Sequence, residues 1–268
     1  MPVSHLLSPR QAGDVGTQPT LTLHPRSTLA AMNLDNSTAK DDPAIAENQS
    51  SAAGRSSKFA ATYFIQKGNT MNNLNLAVAN AHFVTEFLAV GGDLDYNKKK
   101  AFEQAVELVE LCGITHVLDV RLEEEEYLWE CFPKVSYRWD GIDDGGQKVP
   151  ASWFDQITAW ASDAIDAGGV VLTHCHMGIN RGPSAGFAVL LRRGWDPVDA
   201  LSAIRDARSI AVIAYAEDAL EWHFERIGAT ATERSTTRRR VAQWRAANPL
   251  DQMRVIRAVR NRENGWVA

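Results

Sequence analysis

From residue 83 onward, short apolar runs that are typical of β-strands alternate with apolar residues spaced as on one face of a helix. The strand-like runs cover residues 83–90, 116–120, 135–139 and 170–172. Strands that alternate with helices form parallel β-α-β units, because a parallel crossover needs an intervening segment such as a helix. The pattern therefore predicts an α/β domain with a mainly parallel central sheet flanked by helices.

Proline, aspartate and glycine residues mark the ends of the predicted helices. Asp196 followed by Pro197 is typical of an N-cap with proline at the first helical position, and Pro150 opens another helix. Glycine ends helices, because it readily adopts the left-handed conformation found just after a helix C-terminus. The predicted helices are one that contains Phe102, Val106 and Val109 and ends at Gly113, followed by helices over residues 150–167, 183–193, 197–208 and 215–227.

The two ends of the chain differ in composition from its middle. Residues 1–60 are rich in Ser, Thr, Asn, Ala, Gln and Pro, and such a segment cannot bury enough apolar surface to offset the cost of ordering. We expect a disordered leader there, a connecting segment over residues 61–82 and a folded domain over residues 83–228. The tail, residues 229–268, carries nine Arg and no Lys against three acidic residues. It is predicted to be helical, and its charge suits either packing on the domain or docking of an acidic partner.

Composition narrows the class of protein. The 268 residues carry a formal net charge of −5, so a general affinity for nucleic acid or for an anionic membrane is not expected. The three cysteines are too few for a disulfide framework, and no His/Cys cluster has the spacing of a zinc site. The sequence shows no secretory signal and no apolar run long enough to cross a bilayer. We therefore expect a cytoplasmic protein without a metal or other cofactor and without membrane contact.

Residues 170–184 carry the chemistry that the sequence offers. A buried strand runs into Cys175, and Arg181 follows six residues later, just before a predicted helix. A loop that leads from a strand into a helix turns backbone N–H groups inward and forms a cradle for an anion, and Gly178 supplies the freedom that a tight loop needs. The same field favours the thiolate form of Cys175, which is the nucleophilic form. The planar guanidinium of Arg181 matches two phosphate oxygens.

The stretch His174-Cys175-x5-Arg181 resembles the signature loop of the protein tyrosine phosphatase superfamily. The form Cys-x-x-Gly-x-x-Arg in a short domain is most similar to the dual-specificity phosphatases, and the resemblance covers about half of the chain. It implies that Cys175 attacks phosphorus, that Arg181 binds the phosphoryl group, and that His174 shapes the loop and helps to lower the pKa of the cysteine. It implies no metal. The residues implied to surround the phosphate are His176, Met177, Gly178, Ile179, Asn180 and Arg181.

The resemblance also implies a general acid, which protonates the leaving oxygen. In the family this acid is an aspartate on a loop before the helix that precedes the signature strand. The corresponding loop here spans residues 140–147. Counting back from Trp153-Phe154, which resembles the start of the family's following helix, places Asp144 at the acid position. Asp143 is the alternative.

Two positions depart from the pattern of the family. Gly182 stands where the family usually has Ser or Thr, whose hydroxyl eases departure of the cysteine thiolate, so the second step is expected to be slow. Asn180 precedes Arg181, as in some RNA phosphatases of the superfamily. The acidic run 123–126 is predicted to be the solvated start of a helix.

The expected reaction is two-step hydrolysis of a phosphate monoester through a phosphocysteine, with phosphotyrosine, phosphoserine or phosphothreonine of a protein as substrate. Alternative substrates are a phosphoinositide, a sugar phosphate and an RNA 5′-phosphate. Two alternative classes also stay open. One is a slow or inactive phosphate-binding module, and the other is a sulfur-transfer or arsenate-reducing enzyme, which would not need the aspartate loop.

Overall fold

A computed structural model describes residues 76–123 and 125–263, so the predicted leader and most of the connecting segment lie outside the described residues. The described strands are β1 (Ala81–Thr85), β2 (Leu88–Gly91), β3 (His116–Arg121), β4 (Ser136–Ile142) and β5 (Val171–His174). They form one mixed sheet in the order β1-β2-β5-β3-β4. β1 is antiparallel to β2, and all other neighbouring strands are parallel.

The described helices are α1 (Lys98–Val106), α2 (Ala151–Asp166), α3 (Arg181–Arg192), α4 (Pro197–Ala207), α5 (Ala216–Arg226), α6 (Ala231–Ala247) and α7 (Gln252–Glu263). A π-helical turn (Glu107–Leu111) extends α1, and a 3₁₀ turn (Tyr127–Cys131) follows β3. Two apolar cores result. One contains Phe154 of α2 and Phe187 of α3, and the other contains Leu108 after α1. Helices therefore cover both faces of the sheet, as a mainly parallel sheet requires.

The central strand β5 leads into the region that the sequence singled out. It pairs with β2 on one side and with β3 on the other, and its four residues are all buried. Val171 belongs to one core and Leu172 to the other, because side chains alternate between the faces of a strand. β5 ends at His174, and α3 begins at Arg181. The loop 175–180 therefore lies at the carboxyl edge of the sheet, where open α/β folds bind ligands.

The predicted α/β class with a mainly parallel sheet and flanking helices is confirmed. One predicted strand is wrong, because residues 83–90 belong to the hairpin of β1 and β2 rather than to a single strand. The folded part also begins earlier than Phe83. The backbone N–H groups of residues 77–79 donate to the Glu107 carboxylate, which ties this segment to the end of α1. The predicted helix-ending glycines Gly113, Gly168 and Gly228 all have positive φ.

The basic tail forms the helices α6 and α7, in agreement with the helical prediction. Val241 of α6 is buried, and Trp244 donates from Nε1 to the Ser202 hydroxyl at 2.8 Å. Arginines of α6 form ion pairs with acidic residues of the rest of the domain, namely Arg238 with Glu221, Arg240 with Asp196 and Arg245 with Glu217. Position 228 is therefore not the end of the packed structure, and these three arginines are engaged within the chain.

Candidate active site

The loop between β5 and α3 surrounds the sulfur of Cys175. Backbone N–H groups of Gly182 and Gly178 lie close enough to this sulfur to lower the pKa of its thiol. Gly178 has a φ of +63°, and a Cβ there would lie 2.5 Å from the backbone carbonyl carbon of Gly91. Only glycine combines this conformation with so close an approach. The loop thus has the form of an anion cradle with the cysteine at its base.

A buried arginine binds the carbonyl oxygens of the same loop. Arg208 is 1% exposed and donates to the carbonyl oxygens of Gly178 at 2.6 Å and Met177 at 2.9 Å. It also donates to the side-chain oxygen of Asn80 at 2.8 Å. Burial lowers the pKa of Arg208 to about 10, against the opposing effect of the Cys175 thiolate, so the guanidinium is charged at neutral pH. No sequence pattern marks Arg208 as a site residue, because its side-chain partners lie at least 30 positions away along the chain.

Arg181 lies at the start of α3 and is 3% exposed. Its Nη1 donates to Glu123 Oε2 at 2.6 Å and to the carbonyl oxygen of Ile142 at 3.1 Å, and its Nη2 donates to Glu123 Oε1 at 2.7 Å. Its buried Nε has no hydrogen-bond partner among the described residues, and the nearby Asp144 Oδ2 is 3.6 Å away. A buried donor without a partner is costly until a ligand satisfies it. The Arg181 Nε is therefore the donor that this site offers to an oxyanion.

Two carboxylates of the predicted solvated helix start, Glu123 and Glu126, have specific hydrogen-bond partners in the fold. The Glu123 carboxylate binds Arg181 through both oxygens, and Glu126 accepts the N–H of Leu128 at the start of the 3₁₀ turn. The hydrogen bonds from Arg181 lower the pKa of Glu123 to about 2, below the ordinary 4.5. A depressed carboxyl pKa stabilises the fold above pH 4.5, and this stabilisation is lost as pH falls toward about 2. At neutral pH a carboxylate therefore balances the charge of Arg181.

Of the two candidate general acids, Asp144 is the one whose carboxylate reaches the loop. Its Oδ1 accepts from the Asn180 side-chain amide at 2.6 Å and lies 3.3 Å from the Tyr215 hydroxyl. Its Oδ2 lies 3.6 Å from Arg181 Nε. The Asp143 carboxylate instead accepts the backbone N–H of Asp144.

The two histidines of the loop contact a network of charged side chains. His174 is 1% exposed, and its ring lies 3.7 Å from Asp119 and 3.8 Å from Asp93. His176 Nδ1 lies 2.7 Å from Asp93 Oδ2, and Arg121 binds both carboxylates. Burial lowers the pKa of His174, against the opposing effect of Asp119. His174 joins the cysteine loop to this network of charged side chains.

Opposing effects act on the thiol of Cys175. Burial raises its pKa, and the charge of Asp144 acts in the same direction, while the loop N–H groups and the charge of Arg181 lower it. The predicted preference for the thiolate therefore depends on the charge of Arg181, which Glu123 balances through an ion pair.

We expect Glu123→Gln to lower the pKa of the Cys175 thiol, because the charge of Arg181 would no longer be balanced. The pH dependence of Cys175 alkylation by iodoacetamide, followed on its own peptide by mass spectrometry, should shift its midpoint to lower pH. Glu217→Gln is the matched control, since it breaks the ion pair with Arg245 elsewhere in the fold. A midpoint that stays the same in both variants would show that Glu123 does not set the charge at the cysteine.

Two further features bear on the class of protein. Within residues 76–123 and 125–263, no group of three or more His, Cys, Asp or Glu side chains is placed to hold a metal ion. None of the helices described there has both the length and the apolar character needed to cross a membrane.

Comparisons with known proteins give matches in structure alone. No family model and no curated protein matches the sequence. The structure is similar to that of PTPMT1 in complex with PI(5)P, with 18% identity and a TM-score of 0.47 over 56% of this chain and 97% of that chain. Human DUSP28 has 20% identity and a TM-score of 0.47 over 56% and 96% of the two chains. Tk-PTP in its active form has 23% identity and a TM-score of 0.44 over 55% and 97%. This likeness covers little more than half of the chain and does not bear on its substrate.

Proposed function

We propose that this protein is a cysteine-dependent phosphatase that hydrolyses phosphate monoesters through a phosphocysteine on Cys175. The observation that carries the proposal is the convergence of three groups on one loop. A cysteine sulfur lies within hydrogen-bond reach of loop N–H groups, the buried Nε of Arg181 has no hydrogen-bond partner among the described residues, and the Asp144 carboxylate lies 3.6 Å from that Nε. A nucleophile, an oxyanion site and a proton donor are the three parts that such a reaction needs.

In the first step the Cys175 thiolate attacks phosphorus and forms an S–P bond, while the bond from phosphorus to the leaving oxygen breaks. The leaving oxygen takes a proton from the Asp144 carboxyl group, because an alkoxide or phenoxide leaves poorly without one. The Arg181 Nε and the loop N–H groups stabilise the negative charge on the phosphoryl oxygens. Because burial disfavours the thiolate, the Cys175 proton has to pass to solvent water before the attack.

In the second step a water molecule attacks the phosphocysteine. Asp144, now a carboxylate, accepts a proton from this water, a new P–O bond forms and the S–P bond breaks. Inorganic phosphate leaves, and Cys175 returns as a thiolate that the loop N–H groups stabilise. The cycle needs no metal or redox partner.

We propose phosphorylated side chains of proteins as the substrate class. The loop that carries Asp144, residues 140–147, is called the acid loop. It is short, so no long insertion between β4 and α2 deepens the approach to Cys175. A shallow approach suits phosphoserine and phosphothreonine as well as phosphotyrosine. The cytoplasmic location expected from the cysteine usage is part of the same proposal.

Steady-state turnover of an aryl phosphate tests the proposed reaction, and a panel tests the substrate class. The panel contains phosphotyrosine, phosphoserine and phosphothreonine peptides, a phosphoinositide, a sugar phosphate and a 5′-phosphorylated RNA. We expect turnover that vanadate inhibits and that chelators leave unchanged, with the peptides as the best substrates. Phosphate binding without turnover would indicate a phosphate-binding module instead. Faster turnover of a non-protein member of the panel would overturn the proposed substrate class alone.

The close packing of Gly182 bears on the second step. A Cβ at Gly182 would lie 3.0 Å from backbone atoms of both His174 and Cys175, so the start of α3 lies directly against the end of β5. Glycine brings no side-chain hydroxyl to this position, and the Oγ of the nearest serine in the sequence, Ser184, lies against Tyr215, whose backbone N–H it accepts at 3.3 Å. A charge-assisted hydrogen bond contributes about 1.5–3 kcal/mol, so breakdown of the intermediate is expected to be roughly ten- to a hundredfold slower than with this donor.

We expect rapid mixing with an aryl phosphate to show a burst of product that approaches one equivalent per enzyme. Gly182→Ser and Gly182→Ala form a matched pair, because both add a Cβ against the backbone and only one adds a hydroxyl. The serine variant should turn over faster than the alanine variant and show the smaller burst. Linear product release in the wild-type protein, with equal rates in the two variants, would show that the first step limits turnover.

A further inference from the structure

The hydrogen bonds described within the acid loop hold its backbone and do not involve the Asp144 side chain. Gly145 and Gly146 follow it directly, and Gly146 has a φ of +77°. The Asp144 side chain is 37% exposed. A short side chain on a glycine-containing surface loop explores several orientations unless other elements bind it. The position of its carboxylate therefore depends on contacts from distant parts of the chain.

The first such contact comes from Asn180 in the cysteine loop. Asn180 is 4% exposed, and its Oδ1 accepts the backbone N–H of Ala214 at 2.5 Å. A backbone N–H can only donate, so the oxygen of the amide must face Ala214 and the NH₂ group must face Asp144. That NH₂ group donates to Asp144 Oδ1 at 2.6 Å. Asn180 therefore joins the acid loop to the segment that precedes α5.

The second contact comes from Tyr215, at the end of that segment. Its hydroxyl lies 3.3 Å from Asp144 Oδ1 and from the carbonyl oxygen of Asp143, and it accepts the N–H of Gly146 at 3.2 Å. The side chain is otherwise buried, with 3% of the residue exposed. The hydroxyl of Tyr215 therefore binds the acid loop, while its backbone N–H donates to the Ser184 side chain of α3.

The segment between Arg208 and Tyr215 is strained at Ile213. This β-branched residue has a φ of +58°, a conformation that is rare for such side chains. Strain of this kind persists only where the surrounding contacts require it, and it concentrates at functional sites. Here the strained residue lies directly before Ala214 and Tyr215, which bind Asn180 and the acid loop.

We propose that Asn180 and Tyr215 are positioning residues for the general acid, an inference that rests on the proposed function. Both bind Oδ1 of Asp144, so Oδ2 is the oxygen that faces Arg181 Nε and the phosphoryl group. Oδ2 is then the atom that carries the proton to the leaving oxygen. The two residues act through Asp144 and do not touch the phosphate.

The test compares two substrates in a double-mutant cycle. For wild type, Asn180→Ala and Tyr215→Phe, kcat/KM is measured with phenyl phosphate, a poor leaving group, and with 4-nitrophenyl phosphate, a good one. The same variants are then made in an Asp144→Ala background. Misplacing a reacting group by about an ångström costs up to about 100-fold, so we expect each single variant to lose about 10- to 100-fold with phenyl phosphate and much less with 4-nitrophenyl phosphate. In the Asp144→Ala background both variants should have no further effect.

Tyr215→Phe keeps the packed ring, so it reports on the hydroxyl even where Asn180→Ala loosens the loop. Tyr127→Phe and Asn248→Ala are the matched controls, because both lie outside the site. Equal losses with the two substrates, or losses that persist without Asp144, would overturn the positioning role and assign both residues to the shape of the cysteine loop. A wild-type protein that hydrolyses neither substrate would overturn the proposed function and this inference with it.

Discussion

Cys175→Ser is expected to abolish hydrolysis of aryl phosphates, with a loss of about 10⁴-fold or more, because a serine hydroxyl at neutral pH is a far weaker nucleophile than a thiolate. The loop itself should persist. Its N–H groups can donate to a serine oxygen, Gly178 keeps its positive φ and Arg208 keeps its bonds to the loop carbonyls. The variant should therefore still bind vanadate or inorganic phosphate, which calorimetry or protection against unfolding would measure.

The other two cysteines provide the control for this experiment. Cys112 is half-buried and Cys131 is exposed, and in the sequence both lie far from the loop 175–180. Serine substitutions there should leave turnover unchanged. If Cys175→Ser retained turnover while the phosphoenzyme could not be detected in the wild type after acid quenching, the covalent mechanism would be wrong.

The second large effect is expected from Asp144→Ala, which removes the proposed proton donor. Hydrolysis should slow by about 10²–10⁴-fold for substrates with poor leaving groups and much less for those with good ones, because only a poor leaving group needs a proton. A plot of kcat/KM against the pKa of the leaving group should become steep in this variant. Rates for a series of substituted phenyl phosphates measure this slope.

Asp143→Ala is the matched control for this prediction, because Asp143 is the neighbouring carboxylate and its side chain accepts the backbone N–H of Asp144 rather than contacting Asn180 or Arg181. Its slope should resemble that of the wild type. If the dependence on the leaving-group pKa became steep in Asp143→Ala and stayed flat in Asp144→Ala, Asp143 would be the general acid instead. A uniform loss across all leaving groups in Asp144→Ala would mean that this carboxylate acts on binding rather than on proton transfer.

The alternation of apolar runs and helical patterns predicted most of the fold. The periodicity of apolar residues predicted the strands before α2 and α3, and the structure contains both. Glycine marked the helix ends, and the structure agrees because these glycines have positive φ. The hairpin of β1 and β2 was not predicted, because the turn between them contains Glu86 and Phe87 and neither Gly nor Pro marks it. For the basic tail, the sequence left packing on the domain and docking of an acidic partner as alternatives. The structure shows α6 packed on the domain, with its arginines paired with acidic residues of other elements.

For the candidate site, the sequence by itself determined the parts that are contiguous. Cys175, Gly178 and Arg181 are neighbours in one strand-loop-helix unit, so local geometry alone places a thiol, a backbone cradle and a guanidinium together. The aspartate could be narrowed to Asp144 or Asp143, and the contacts of the structure favour Asp144.

Only the tertiary structure decided the partners of these groups. Glu123 binds Arg181 across 58 positions, Arg208 binds the loop carbonyls across 30, and Tyr215 reaches Asp144 across 71. No local period or spacing records such contacts, because they arise where the carboxyl ends of parallel strands and the following loops meet at one edge of the sheet. The pKa of Cys175 follows the same rule. Burial raises it, and so does the charge of Asp144 from a distant loop, and neither effect is a property of the residues beside Cys175 in the chain.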